Sequence, residues 1–176
     1  MNADSVTAVL VLGGELRDTG TDLKVLAFDK KLCHSVFFIG RVERVTELLH
    51  ESDLVVHSSV SEGCPNAVLE AMAVGKPVVG TDIPGVRQAL GTEVPDLCYC
   101  PAGDAQALAR SIMDLLWDTR LRGRLGQANK SRIRQYFSVS GMGQAYLALI
   151  ESAMRFRREG KRAESAVKYP SDSCSL

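Results

Sequence analysis

Short β-branched runs alternate with helical segments along this chain, and that alternation limits the possible folds more than any other feature. "VTAVLVLGG" (Val6 to Gly14) is an apolar run ending in glycines, the pattern of a buried strand. "ELRDTGTDLKVLAFDKKL" follows with helical character, weakened in its first half by Gly20. "SVFFIG" reads as a strand, "VERVTELLHES" as a helix and "DLVVHSS" as a strand. A glycine-containing loop and an apolar helix then lead into the strand "KPVVG". "IPGVRQAL" is a short helix entered through Pro84 and Gly85, and "LCYC" a fifth strand. From Asp104 onward the pattern is helical. Strands alternating with helices of this length form βαβ units. The expected fold is therefore α/β: a Rossmann-like parallel sheet with helices on both faces and a helical C-terminal region. Residues 1–155 read as one domain, and the polar, aperiodic stretch 156–176 as a disordered tail.

The chain has 176 residues, enough for a domain with a real core but not for a large two-domain enzyme. Its 21 basic and 21 acidic residues cancel, so charge gives no case for a nucleic-acid partner. The five cysteines, Cys33, Cys64, Cys98, Cys100 and Cys174, have no zinc spacing and read as reduced thiols of a cytosolic protein. No signal peptide opens the sequence, and no apolar stretch approaches the roughly 20 residues that span a bilayer. The basic cluster Arg155, Arg157, Arg158, Lys161 and Arg162 reads as a solvated helix end, with contact to acidic lipid as the sharper alternative.

Within "SEGCPNAVLEAMAVGKPVVGTD" (Ser61 to Asp82), Glu70 is the one carboxylate in an otherwise apolar helix. Ala67, Val68, Leu69, Ala71, Met72, Ala73 and Val74 leave that helix almost no polar face, which predicts burial. A buried carboxylate needs a partner. Two adjacent ribose hydroxyls would satisfy both of its acceptor oxygens; an internal cation or backbone donor is the alternative. Glu62 lies in the preceding loop, separated from Glu70 by seven residues, so the pair can hold two parts of one extended ligand.

Ligands of open parallel sheets bind beyond the C-terminal ends of the strands. Three glycine-containing loops fall there: Gly13-Gly14, Gly40-Arg41, and Ser59 to Asn66. The last opens the apolar helix, whose N-terminal amides suit a phosphate. Pro65 suits its first turn and Asn66 its cap. His57 ends a strand on the same side, placed either to donate to a sugar or phosphate, or to stand behind the binding groups or face solvent. Asp82 and Gly85 follow the fourth strand at this edge.

Glu62 and Glu70, set in this segment, resemble the signature of retaining glycosyltransferases of family 4, also called glycosyl transferases group 1. These enzymes have the GT-B fold, two Rossmann-like domains facing across a cleft. "VLVLGGEL", "VFFIGRVERVTELLHESDLVVHSS", "CPAGDAQALARSIMDLL" and "FSVSGMGQAYLALI" resemble further family segments, so the likeness runs over about residues 6 to 150. It implies that this chain is the C-terminal, donor-binding half of a GT-B fold, binding a UDP- or GDP-linked sugar. Glu70 then corresponds to the acid on the nucleotide ribose, and Glu62 to the acid near the donor-sugar hydroxyls, the catalytic position. Gly63, Cys64, Pro65 and Asn66 correspond to the loop whose amides meet the sugar, and Ala67 and Val68 to the turn at the diphosphate. Gly13 and Gly14 correspond to the turn near the phosphates, Arg41 and Val42 to the loop lining the base. No cofactor or metal is implied.

The same resemblance implies departures. The family's N-terminal acceptor domain has no counterpart here, nor does an earlier strand, helix and glycine loop carrying the arginine and lysine that bind the diphosphate. Ser58 and Gln88 stand where the family often has proline and glutamate. An incomplete transferase is the expectation, inactive without an N-terminal acceptor domain, whether as a truncated or split gene product or as one chain of a two-chain enzyme whose partner supplies that half. A non-catalytic nucleotide-sugar-binding module and part of a nucleotide-sugar epimerase are the alternatives. A sheet lacking its first strand exposes an edge or an apolar face, which favours self-association. The expected location is the cytoplasm, free or at the membrane surface.

Overall fold

The computed structural model describes residues 8–14 and 20–159. The expectations for residues 1–7 and 15–19, for Cys174 and for the tail beyond 159 lie outside the described residues. Five strands and seven helices follow in order: β1 (Leu10–Gly13), α1 (Gly20–Asp29), β2 (Val36–Gly40), α2 (Val45–Glu51), β3 (Val55–His57), α3 (Asn66–Ala73), β4 (Val78–Thr81), α4 (Pro84–Leu90), β5 (Tyr99–Cys100), α5 (Ala105–Trp117), α6 (Thr119–Tyr136) and α7 (Val139–Glu159). A single 3₁₀ turn, Asp96–Cys98, precedes β5. All strand pairings are parallel, as the alternation predicts. The hydrogen-bonded strands group as β1–β2 and as β3–β4–β5. The chain accordingly divides into two compact units, residues 1–51 and 52–176.

In the first unit Leu10 aligns with Val36 and Val11 with Phe37. Two strands and two short helices cannot enclose a core, and among the described residues here only Ala27 is buried. Leu10, Val11, Phe37 and Ile39 on the strands and Leu26 and Phe28 on α1 keep 41% or more of their surface in solvent.

The second unit holds the core. All four residues of β4 are buried, as befits the central strand of a three-stranded parallel sheet. Val68, Ala71 and Met72 of α3, Val86, Ala89 and Leu90 of α4, and Leu115 of α5 pack with Val78, Val79, Cys98 and Cys100 at 2% exposure or less. Local signals fix the helix ends. Gly103 adopts φ +82°, a left-handed turn, and Asp104 then caps α5 by accepting from the Ala107 N–H at 2.9 Å. Asp118 caps α6 through the Leu121 N–H at 2.8 Å. Arg122 donates to the carbonyls of Leu115 and Leu116 at the end of α5, and Arg132 to those of Gln88 and Ala89 at the end of α4. α6 meets α3 closely: Asn129 donates to the Lys76 carbonyl at 2.8 Å.

Among the described residues, no helix is long and apolar enough to cross a membrane. α7 carries Met142, Tyr146, Ile150 and Met154 at spacings of four residues, all more than half exposed.

Candidate functional site

The C-terminal edge of the β3–β4–β5 sheet gathers the second unit's chemistry-bearing side chains. His57 ends β3, the Ser59–Pro65 loop leads into α3, and Asp82 follows β4. The loop is fastened from below. The Thr81 hydroxyl donates to the Ser59 carbonyl. Gly85, at the start of α4, lies so near that a Cβ there would stand 2.5 Å from the Glu62 carbonyl oxygen and 3.0 Å from that of Gly63. Only a glycine lets the two segments approach this closely.

Glu62 is held at one oxygen. The Ser59 hydroxyl donates to its Oε1 at 3.0 Å, and His57 Nε2 stands 3.7 Å from the same atom. Its other oxygen has no partner among the described residues, and the side chain is 37% exposed. The carboxylate is thus oriented yet able to accept from a ligand hydroxyl.

Glu70 corrects the sequence reading. It is exposed, as are Asn66, Ala67 and Ala73, while Val68, Ala71 and Met72 are buried. α3 is therefore amphipathic, with its wet side built of Asn66, Ala67, Glu70 and Ala73 at helical spacing. Two of those four are alanines, which hide a polar face from any reading by hydropathy. The carboxylate pays no desolvation penalty and needs no internal partner, so the burial argument for a ribose falls away. What remains is an accessible carboxylate one turn into the helix.

The cap also differs from expectation. Pro65 is the N-cap residue, without a side-chain hydrogen bond, and Asn66 is the first helical residue. The Val68 and Leu69 N–H groups donate to the Pro65 carbonyl at 3.0 and 3.1 Å. The Asn66 and Ala67 N–H groups have no carbonyl partner among the described residues and stay available to an anion. Gly63, Cys64 and Pro65, with Leu69, Gly85, Gln88, Ala89 and Phe137, line a cavity of about 140 Å³ beside the loop.

Asp82 and Arg87 form a bidentate ion pair, with Arg87 Nη2 donating to Oδ2 at 2.7 Å and Nε to Oδ1. The hydrogen bond to Asp82 raises the Arg87 pKa above its ordinary value. The guanidinium also lies over the Tyr99 ring, 4.6 Å from its centre. Burial, partly offset by Arg87, pushes the Tyr99 phenol up to about 12, and its hydroxyl donates to the Gly91 carbonyl. This cluster was not legible in sequence beyond Asp82, because its members meet through the fold. Arg87 had an aspartate five residues before it as its only local signal.

The remaining sequence-predicted residues stand together in the first unit, at the C-terminal edge of β1–β2. The Gly14 N–H donates to the Gly40 carbonyl at 2.7 Å. A Cβ on Gly13 would touch Val42 at 3.2 Å. Arg41 is exposed and Val42 half-buried in the turn before α2.

N-acetyl-α-D-glucosaminyl L-malate synthase of Bacillus anthracis is 30% identical over 127 residues, 72% of this chain and 33% of the relative. The lipopolysaccharide core biosynthesis glycosyltransferase LpsE of Rhizobium meliloti is 33% identical over 139 residues, 79% of this chain and 40% of the relative. The crystal structure of Anabaena HepE in complex with UDP-glucose superposes with a TM-score of 0.75 at 25% identity, covering 82% of this chain and 41% of that one. The chain thus spans between a third and about two fifths of the length of these relatives. The model of the glycosyl transferases group 1 family matches residues 2–118, and the chain belongs to that family.

Proposed function

We propose that this chain is the nucleotide-sugar-binding part of a retaining glycosyltransferase of family 4, used in glycan biosynthesis. The observation that carries this reading is the half-anchored Glu62. One of its oxygens is held by Ser59 and the other is open, on a loop that runs directly into the exposed Asn66 and Ala67 amides and the exposed Glu70. HepE, with the same fold, has been solved with UDP-glucose and with UDP and glucose together. A UDP-linked sugar is therefore the first donor to consider, with GDP-linked sugars the second.

In this reading the open oxygen of Glu62 accepts from donor-sugar hydroxyls, and Glu70 accepts from the ribose. The turn at Ala67 and Val68, at the α3 N-terminus, offsets the diphosphate charge that grows as the glycosidic bond breaks, and the loop Gly63, Cys64, Pro65 and Asn66 meets the sugar. Gly13, Gly14, Arg41 and Val42 serve the phosphates and base. Attack occurs on the face the nucleotide leaves, so the anomeric configuration is retained. The acceptor comes from a domain or partner chain outside these residues, and residues 1–155 act as one donor-binding domain in the cytoplasm.

Ligand-observed NMR with UDP-glucose, UDP-N-acetylglucosamine, GDP-mannose and ADP-glucose tests the reading. Saturation transfer to one nucleotide class supports it, and no transfer to any of the four by folded protein overturns it. A non-catalytic module is the second reading. It is favoured by the engagement of Arg87 with Asp82 and Tyr99, which leaves that cation committed. Binding without turnover when the acceptor half is supplied would select it.

A further inference from the structure

We propose that His57 is a positioning residue that holds Glu62 for the donor sugar; this rests on the donor-site reading above. His57 is the last residue of β3 and its side chain is only 12% exposed. A leucine or valine would fill such a place without polar atoms to satisfy. The imidazole instead leaves Nδ1 buried with no hydrogen-bond partner among the described residues. An orphaned buried polar atom in a native fold calls for a compensating use of the group. Its other nitrogen supplies that use: Nε2 stands 3.7 Å from Glu62 Oε1, the atom that also accepts from Ser59 at 3.0 Å.

At 3.7 Å the contact is longer than a hydrogen bond. Contacts of this kind are commonly long in the empty protein and tighten in the complex. A sugar hydroxyl donating to the open Oε2 fixes the carboxylate from the far side. A shift of a few tenths of an ångström then brings Oε1 within hydrogen-bonding reach of His57. His57 and Ser59 grip one oxygen, and the sugar takes the other. The five-residue separation places both groups at one sheet edge only because β3 ends at His57 and the loop turns back over it.

The proposal separates sugar from nucleotide. His57 acts through Glu62, so its loss weakens the sugar contribution and spares the nucleoside diphosphate. The test uses the full chain, the tightest-binding nucleotide sugar of the four above, and its free nucleoside diphosphate. His57→Leu is expected to weaken the nucleotide sugar about tenfold, the scale of one hydrogen bond to a charged group, and to leave the free diphosphate unchanged. His57→Gln, whose amide nitrogen reaches the place of Nε2, restores most of the affinity. His57→Asn, whose amide sits at the place of Nδ1, does not. In a Glu62→Ala background His57→Leu has no further effect. Should His57→Leu fail to fold by circular dichroism, the contrast between His57→Gln and His57→Asn carries the test.

Equal weakening of nucleotide sugar and free diphosphate overturns the proposal, since it marks a purely structural histidine. Unchanged affinity for both, or an undiminished loss in the Glu62→Ala background, also overturns it. If the folded wild-type chain binds none of the four donors, the donor-site reading fails and this inference falls with it. That outcome is distinct from the others because it appears before any variant is made.

Discussion

Gly123 and Gly126 lie one turn apart in α6, and the same substitution has opposite consequences at the two. A Cβ on Gly123 meets nothing within 4 Å. Gly123→Ala therefore gains helix propensity alone, about 0.8–1.0 kcal/mol of stability. A Cβ on Gly126 would stand 2.0 Å from the Gly75 carbonyl oxygen and 3.0 Å from its carbon. To restore ordinary contact at 3.4 Å that carbonyl must retreat by about 1.4 Å. Gly75 can yield little, since it sits at φ +80° just beyond α3, and the neighbouring Lys76 carbonyl is held by Asn129. Overpacking of this kind costs about 1–3 kcal/mol, here at the upper end because the clash is with backbone. Setting the propensity gain against it leaves Gly126→Ala about 2 kcal/mol less stable than wild type. The two variants should thus differ by about 3 kcal/mol in urea unfolding followed by far-ultraviolet circular dichroism, at unchanged slope. Equal shifts in the same direction would refute the close α3–α6 packing.

Gly85→Ala should push the Glu62 carbonyl back by about 0.9 Å, from 2.5 to 3.4 Å. Loss of nucleotide-sugar affinity, measured by titration calorimetry, should then exceed loss of nucleotide affinity, because displacements of this size disturb a positioned group. Met72→Ala empties a fully buried site and should cost about 2–5 kcal/mol, read as a lower urea midpoint. Cys33 and Cys64 are exposed while Cys98 and Cys100 are buried, and burial raises the Cys98 thiol to about 11. Iodoacetamide at pH 8 should therefore label Cys33 and Cys64 in the native protein and reach Cys98 and Cys100 only after unfolding, as peptide mapping will show. Because the Cys98 thiol is harder to ionise in the fold, its contribution to stability is full below about pH 9 and is lost as pH rises towards about 11.

Much of this fold is visible in the sequence because it rests on local patterns. The β-branched runs mark the strands, and Gly103-Asp104 marks a left-handed turn followed by a helix cap, both physically short-range. α3 misleads for a specific reason: alanine counts as apolar yet tolerates water, so Ala67 and Ala73 conceal the wet side on which Glu70 stands. The loop residues Gly63, Cys64 and Pro65 are legible through their place before a helix. The anchoring of Glu62 is not, because Ser59 and His57 acquire their roles only once the loop folds back over the end of β3. The Gly126–Gly75 approach joins residues about 50 positions apart, and neither glycine carries a local sign of it.

The central claim is that Glu62 and Glu70 hold different parts of one nucleotide sugar. Its most direct measurement is the affinity of Glu70→Ala and Glu62→Gln for UDP-glucose and for UDP, or for the corresponding pair of whichever nucleotide class binds. Both carboxylates are exposed, so neither substitution should disturb folding. The account predicts that Glu70→Ala weakens both ligands by the same factor and that Glu62→Gln weakens the sugar-bearing ligand alone. Two variants that lose both ligands equally, or that lose neither, would contradict it.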